Sequence, residues 1–120
     1  VAKVLVVEDD RLSQKVLGRV FSNAGHETLT AGSSQHAWQK LQEHVLVDMV
    51  VLDNQLEQEW GWQFLRMLRS NPAYKGLPVI VYTAHTERSS IVRYVELGVQ
   101  SLHVKPYQSD VILAELKKAV

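Results

Sequence analysis

Short apolar runs alternate strictly with segments of helical periodicity along this chain, and that alternation constrains the fold more than any single motif. Runs rich in β-branched residues lie at Lys3–Val7, 49–52 and Val79–Thr83, and weaker ones at Glu27–Ala31 and Ser101–Val104. Apart from Lys3 and Thr83 at their ends, the three strong runs are continuously apolar instead of alternating, which marks strands covered on both faces, as in a parallel sheet. Between the runs, apolar residues recur at helical spacing. Leu12, Val16, Leu17, Val20 and Phe21 form one stripe, and Ala37, Trp38, Leu41 and Val45 a second. Phe64, Leu65 and Leu68 form a third, Ile91, Val92 and Val95 a fourth, and Ile112, Leu113 and Leu116 a fifth. Gly25 and Gly98 follow helical stretches where C-cap glycines are expected, and Pro78 opens a strand. Asp10 is placed to cap the first helix, Ser33 or Ser34 the second, and Ser109 or Asp110 the fifth. The pattern predicts an α/β fold of (βα)5 type, a doubly wound flavodoxin-like sandwich with a five-stranded parallel sheet in the order 2-1-3-4-5.

Composition narrows the class. With 120 residues, 46% of them hydrophobic, the chain suits one domain over residues 1–120, either independent or part of a longer protein. Thirteen basic residues balance thirteen acidic ones, which argues against direct nucleic-acid binding. The absence of cysteine excludes disulfides and thiolate chemistry. No apolar run approaches a membrane span, and acids follow the first run where a signal peptidase site would need small residues. A cytoplasmic protein is expected.

Open parallel sheets bind ligands beyond the carboxyl ends of their strands, at the switch in strand order. Here the first strand runs into Glu8, Asp9 and Asp10, the third ends at Asp53, the fourth at Thr83, and the fifth runs into Lys105. Taken one at a time, such residues read as helix caps or solvated loop positions. Taken together, they deliver acids, a hydroxyl and an amine to one edge. Clustered carboxylates without histidine or cysteine favour a hard cation, magnesium or manganese. A cation beside a spare carboxylate and a lysine suits a phosphoryl group, with Asp53 as nucleophile, Lys105 pairing with the charge that develops, and Thr83 donating to a phosphoryl oxygen.

The segments VLVVEDD (4–10), MVVLD (Met49–Asp53), PVIVYTA (78–84) and VKPY (104–107) resemble, in order and each at the end of its own strand, those of response-regulator receiver domains. The resemblance covers the whole chain. It implies a phosphorylation-dependent signalling switch of a two-component system, not a turnover enzyme. Its phosphoryl donor would be a sensor histidine kinase or a His-containing phosphotransfer protein, and its readout a downstream effector. By position, Asp53 would be the phosphoacceptor and a metal ligand. Asp9 would bind Mg2+ directly, Glu8 through water, and Gln55 through its backbone carbonyl. Thr83 would be the switch hydroxyl and Lys105 the phosphate-pairing lysine, with a cis Lys105–Pro106 bond. A homodimer through the last two helices and a changed surface on the fourth helix, fifth strand and fifth helix are further implications.

The sequence also departs from the family pattern. Glu57 and Gln58 replace the usual proline and glycine after the phosphoacceptor, so the loop 54–60 should be less rigid and more acidic, while Gly61 keeps its expected place. Leu102 stands where the family carries an aromatic ring that swings inward when the threonine engages the phosphoryl group. Phosphorylation chemistry should survive these changes, whereas the route to the output surface needs another form.

The histidines at 26, 36, 44, 85 and 103 show no metal-ligand spacing. His85, two residues after Thr83, reads equally well as a solvated loop residue or as a tuner of acyl-phosphate lifetime, the role that Gln55 also has by position. His103 is expected to be exposed at the sheet edge. Trp60 and Trp62 either pin a loop to the body or dock a partner, and Trp38 reads as core packing. Two other functions compete with the switch. A purely structural receiver would explain Glu57 and Leu102, although the intact acids, Thr83 and Lys105 speak against it. An aspartyl-phosphate phosphatase would need a second acid two residues after the nucleophile, where the chain has Gln55.

Overall fold

The structure is a computed structural model, and it describes residues 1–43, 46–84 and 87–120. Five strands form the central sheet: β1 (Lys3–Val7), β2 (Glu27–Ala31), β3 (Met49–Asp53), β4 (Val79–Thr83) and β5 (Ser101–Val104). They pair in parallel in the order β2-β1-β3-β4-β5, as the alternation predicts. Five helices connect or follow them: α1 (Arg11–Asn23), α2 (Ser34–Glu43), α3 (Gly61–Arg69), α4 (Arg88–Glu96) and α5 (Ser109–Ala119). Val45, the last member of the second expected stripe, lies outside the described residues, as do His44 and His85.

Because successive side chains of a strand point to opposite faces, each inner strand feeds two cores. Val4, Val6, Met49, Val51, Ile80 and Tyr82 pack with Leu17 and Phe21 of α1 and Ile112 and Leu116 of α5. Leu5, Val7, Val50, Leu52, Val79 and Val81 pack on the other face with residues of α2, α3 and α4. All five residues of β3 are buried, and each large apolar side chain buried this way contributes about 1.5–3 kcal/mol. This central strand therefore fixes the height of Asp53, its last residue. Trp38 packs as expected, half-buried against the second of these cores and edge-on to Tyr74.

Two helices sit rotated from their expected faces. On α1, Leu17 and Phe21 are buried, but Leu12 and Val16 are 69% and 50% exposed. The inward face includes Gln14, whose side-chain amide donates to the Glu8 carbonyl oxygen, a polar contact that apolar counting cannot register. On α4, Val92 and Val95 are exposed, and the buried face runs through Ser90 and Tyr94. A tyrosine ring buries more area than a valine, and the hydroxyl of Tyr94 finds an acceptor inside.

The helix ends follow the same local logic. Asp10 caps α1 by accepting from the backbone N–H and the hydroxyl of Ser13. Ser33, not Ser34, accepts from the His36 N–H at the start of α2. Gln108 occupies the cap of α5 without a side-chain bond, so neither Ser109 nor Asp110 fills that role. Gly25 and Gly98 have φ of 87° and 69°, the left-handed region that ends a helix at little cost for glycine.

Under β5, Glu115 of α5 is 5% exposed and accepts from Gln100 Nε2, Ser101 Oγ and Lys118 Nζ. His103 joins this network, its Nε2 lying 2.9 Å from Ser101 Oγ, so it is half-buried beneath α5 instead of exposed at the edge. Burial pushes the Glu115 carboxyl up, but the bonds from Gln100, Ser101 and Lys118 outweigh burial and hold it below its ordinary value. Its contribution is thus present above the ordinary carboxylate range and lost as pH falls through the lowered pKa. Glu115→Ala should cost about 2 kcal/mol by leaving these donors unpaired. Urea unfolding at pH 7 measures this, and a change below about 0.5 kcal/mol would contradict the assignment.

Candidate functional site

The carboxyl ends of β1, β3 and β4 and the residues after β5 meet above the sheet. They line a cavity of about 290 Å3 with Asp9, Asp53, Gln55, Leu56, Glu57, Thr83, Ala84 and Lys105. Glu8 lies beneath it, 1% exposed, while Asp9 is on the open side. One oxygen from each of Glu8, Asp9 and Asp53 can be chosen so that all three lie within 4.8 Å of one another. Lys105 Nζ stands 3.4 Å from both Glu8 Oε1 and Asp53 Oδ2. The backbone N–H of Gln55 donates to Asp53 Oδ1 at 3.3 Å. Thr83 is buried at the cavity wall, and the Lys105 N–H donates to its carbonyl oxygen. The Lys105–Pro106 peptide bond is cis. Asp9, Asp53, Gln55, Thr83 and Lys105 thus line one cavity, Glu8 is buried within reach of Lys105, and Asp10 serves as the cap of α1.

Three carboxyl groups face one ammonium, and the electrostatics register the imbalance. Burial, followed by the hydrogen bond and negative charge of Glu8, pushes the Asp53 carboxyl up to about 7 against the partial relief from Lys105. For Glu8, burial raises the carboxyl, but the bond with Asp53, the charge of Lys105 and the backbone N–H of Asp10 together hold it below its usual value. Burial and the adjacent Glu8 raise Asp9, and the charge of Glu57 adds to the rise. An all-oxygen donor set short of positive charge fits a hard divalent cation, so the cluster is able to coordinate a metal ion.

The loop 54–60 differs from the expected loose segment. Gln55–Leu56 pairs antiparallel with Glu59–Trp60 in a short ribbon. The Glu59 carboxylate accepts from both the backbone N–H and the hydroxyl of Ser34 at the start of α2. Backbone pairing and this cap supply the order that a proline would give, while Glu57 makes the cavity rim acidic as expected. The guanidinium groups of Arg66 and Arg93 lie over the Trp62 ring, 4.8 Å and 4.2 Å from its centroid, and the Arg93 contact ties α3 to α4. Trp60 is 39% exposed.

Three residues around the site were not foreseen. Asn54 is fully buried, and its Oδ1 accepts from the Tyr94 hydroxyl at 2.6 Å, joining α4 to the residue after Asp53. Tyr94 lies in the same core against which Leu102 packs. Its helical stripe includes a serine, which hid it from a count of apolar residues. Tyr82, opposite Asp53 in the sheet, lies beneath Lys105. Its position in an apolar strand gave no sign of a polar environment. Burial first, then the charges of Glu8 and Asp53, hold its hydroxyl far above the ordinary tyrosine range.

Residues 4–117 match the model of the response regulator receiver domain. The chain belongs to that family. As a receiver domain it is a phosphorylation-dependent switch of two-component signalling and not a turnover enzyme. It is 25% identical over 116 residues to the chemotaxis protein CheY1 of Helicobacter pylori, covering 96% of this chain and 94% of the relative. It is 34% identical over 115 residues to the probable transcriptional regulatory protein SilR of Salmonella typhimurium, covering 96% of this chain but 49% of that protein. Among solved structures, the chemotaxis protein CheY4 of Vibrio cholerae superposes with a TM-score of 0.90 at 25% identity, over 99% of this chain and 98% of that one. A response regulator receiver protein of Pseudomonas putida superposes at 0.92 with 23% identity, over 98% and 96%. Among the described residues no helix is long and apolar enough to cross a membrane.

Proposed function

We propose that this receiver domain, spanning residues 1–120, accepts a phosphoryl group on Asp53 from a phosphohistidine of a sensor kinase or phosphotransfer protein in the cytoplasm. The observation that carries this reading is the meeting of Asp53 with Glu8, Asp9 and Lys105 at one cavity. One carboxylate oxygen of Asp53 forms a bond to phosphorus as the donor's P–N bond breaks. The electron pair leaves with the imidazole nitrogen, which takes a proton from solvent. Glu8, Asp9, Asp53 and the backbone carbonyl of Gln55 would hold Mg2+, or Mn2+ in its place. When bound, the cation supplies positive charge that offsets the repulsion between an anionic nucleophile and an anionic donor. Lys105 orients the phosphoryl oxygens and pairs with the charge of the product, and the Thr83 hydroxyl donates to one of those oxygens.

The product adds roughly −1.5 to −2 of charge to the site, which draws on Thr83 and changes the surface of α4, β5 and α5. That surface is the one offered to an effector or to a second copy of the chain. The direct test is intact mass spectrometry after incubation with acetyl phosphate or beryllofluoride, with Mg2+ and with EDTA. The expected result is one adduct that forms with Mg2+ and is absent with EDTA. No adduct in either condition would overturn the proposal.

A further inference from the structure

The Lys105 ammonium stands 4.6 Å above the ring of Tyr82, within the roughly 6 Å over which a cation is drawn to an aromatic face. Its two carboxylate contacts are both 3.4 Å, longer than the roughly 2.7–2.9 Å of a tight charge-assisted hydrogen bond. The lysine side chain is 29% exposed and ends a flexible four-carbon stem, so these contacts leave its position loosely defined. The ring beneath it is fixed. Tyr82 is 1% exposed in the middle of the α1–α5 core, and it meets Tyr107 edge-on at 5.6 Å between centroids. It is also the register partner of Asp53 on the neighbouring strand, so its ring is placed by the same backbone ladder that places the phosphoacceptor. The hydroxyl of Tyr82 is buried and makes no well-formed hydrogen bond among the described residues, although Glu8 lies near it. The hydroxyl lies close enough to Glu8 and Asp53 to feel their charges, while the ring face meets the ammonium of Lys105.

We propose that Tyr82 is a positioning residue for the phosphorylation reaction: its ring is a cation–π seat that holds the Lys105 ammonium beside Asp53, where it meets the incoming phosphoryl group. The proposal rests on the reading of Lys105 as the phosphate-pairing lysine. Two carboxylates alone would draw the ammonium down between Glu8 and Asp53. A neutral ring beneath it attracts the charge without neutralising it, and leaves its N–H donors free to pass to phosphoryl oxygens as Asp53 gains the group. The seat is thus a feature of geometry, and the ring's electron density sets its strength.

The test replaces Tyr82 in the full chain by phenylalanine, by leucine, and by phenylalanines carrying one, two, three and five ring fluorines. Phosphorylation rates are measured with acetyl phosphate and Mg2+ across a range of donor concentrations. Tyr82→Phe should stay within about twofold of the wild type, because the ring remains. Tyr82→Leu should be about fivefold to twentyfold slower, a loss matching one cation–π contact. The fluorinated series keeps the shape of the ring while draining its face of electron density, so the rate should fall progressively with fluorine number. A role limited to packing would not respond to that series. In the proton NMR spectrum of the wild type, the Lys105 ε-methylene signals should lie upfield through the ring current, and they should move to ordinary values in Tyr82→Leu. A flat fluorine series in protein that does take up the phosphoryl group, or ordinary Lys105 shifts in the wild type, would overturn the seat alone. Failure of the wild type to take up a phosphoryl group would remove both the seat and the reading on which it rests.

Discussion

Asp53→Asn is expected to take up no phosphoryl group and yet to be the more stable protein at pH 8 without divalent cations. The amide of asparagine cannot form the acyl phosphate, so loss of the adduct follows from the chemistry of the nucleophile. The gain in stability follows from the charge imbalance at the cavity. Burial and the adjacent Glu8 raise the Asp53 carboxyl from an ordinary value of 3.8 to about 7 in the folded protein. Below about pH 4 the folded and unfolded chains both keep that proton, and the carboxyl is neutral in its effect. As pH rises toward 7 the unfolded chain ionises freely while the folded protein resists, so the wild type loses stability across that window. Above 7 the loss is complete. Asparagine has no such titration, and at pH 8 the variant should exceed the wild type by about 2–4 kcal/mol. Urea unfolding at pH 4 and pH 8 checks the window, since the two proteins should converge at the lower pH. Adding Mg2+ at pH 8 should raise the wild type and leave the variant nearly unchanged, because binding to the folded state alone stabilises it by mass action. Equal stabilities at both pH values, or an adduct on the variant, would contradict this account.

Gly61→Ala should be the most damaging of the glycine-to-alanine changes, because its added Cβ meets the tightest surroundings. The Gly61 N–H donates to the Asn54 carbonyl at 2.7 Å, which draws the start of α3 against the residues that follow β3. A Cβ at this position would overlap the Asp53 carbonyl oxygen and come within 2.9 Å of the Tyr94 hydroxyl. The first neighbour is backbone of the buried central strand and cannot move aside without shifting Asp53. The second is a fully buried ring whose hydroxyl is committed to Asn54. Overpacking of this kind costs up to about 3 kcal/mol or more. The same shift displaces the phosphoacceptor, so the folded fraction of the variant should also phosphorylate more slowly. Unfolding midpoints measured beside adduct formation per folded molecule would separate the two effects. A variant within 0.5 kcal/mol of the wild type would show that the contact can relax, against this reading.

Much of this protein was already written in the order of its residues. Continuous apolar runs identified the parallel strands because those strands are covered on both faces, and the handedness of the crossovers then left few sheet orders, of which the commonest is the one observed. The carboxyl ends of those strands brought Glu8, Asp9, Asp53, Thr83 and Lys105 together, since each ends or follows a strand whose position the sheet fixes. The sequence misplaced the faces of α1 and α4 and understated the order in the loop 54–60, and it left open the surroundings of Asp53. Leu12 and Val95 are as apolar as their buried neighbours, and only competition among whole side chains for the interior decides which face turns inward. Tyr82, Tyr94 and Glu59 act through contacts with residues 23, 40 and 25 positions away in the chain. Local periodicity carries no information about such partners. Strand order is set by short-range pattern and chain connectivity, so the sequence determined it. The seat of Lys105 and the anchor of α4 depend on where rings meet across different elements, and the tertiary structure alone decided those.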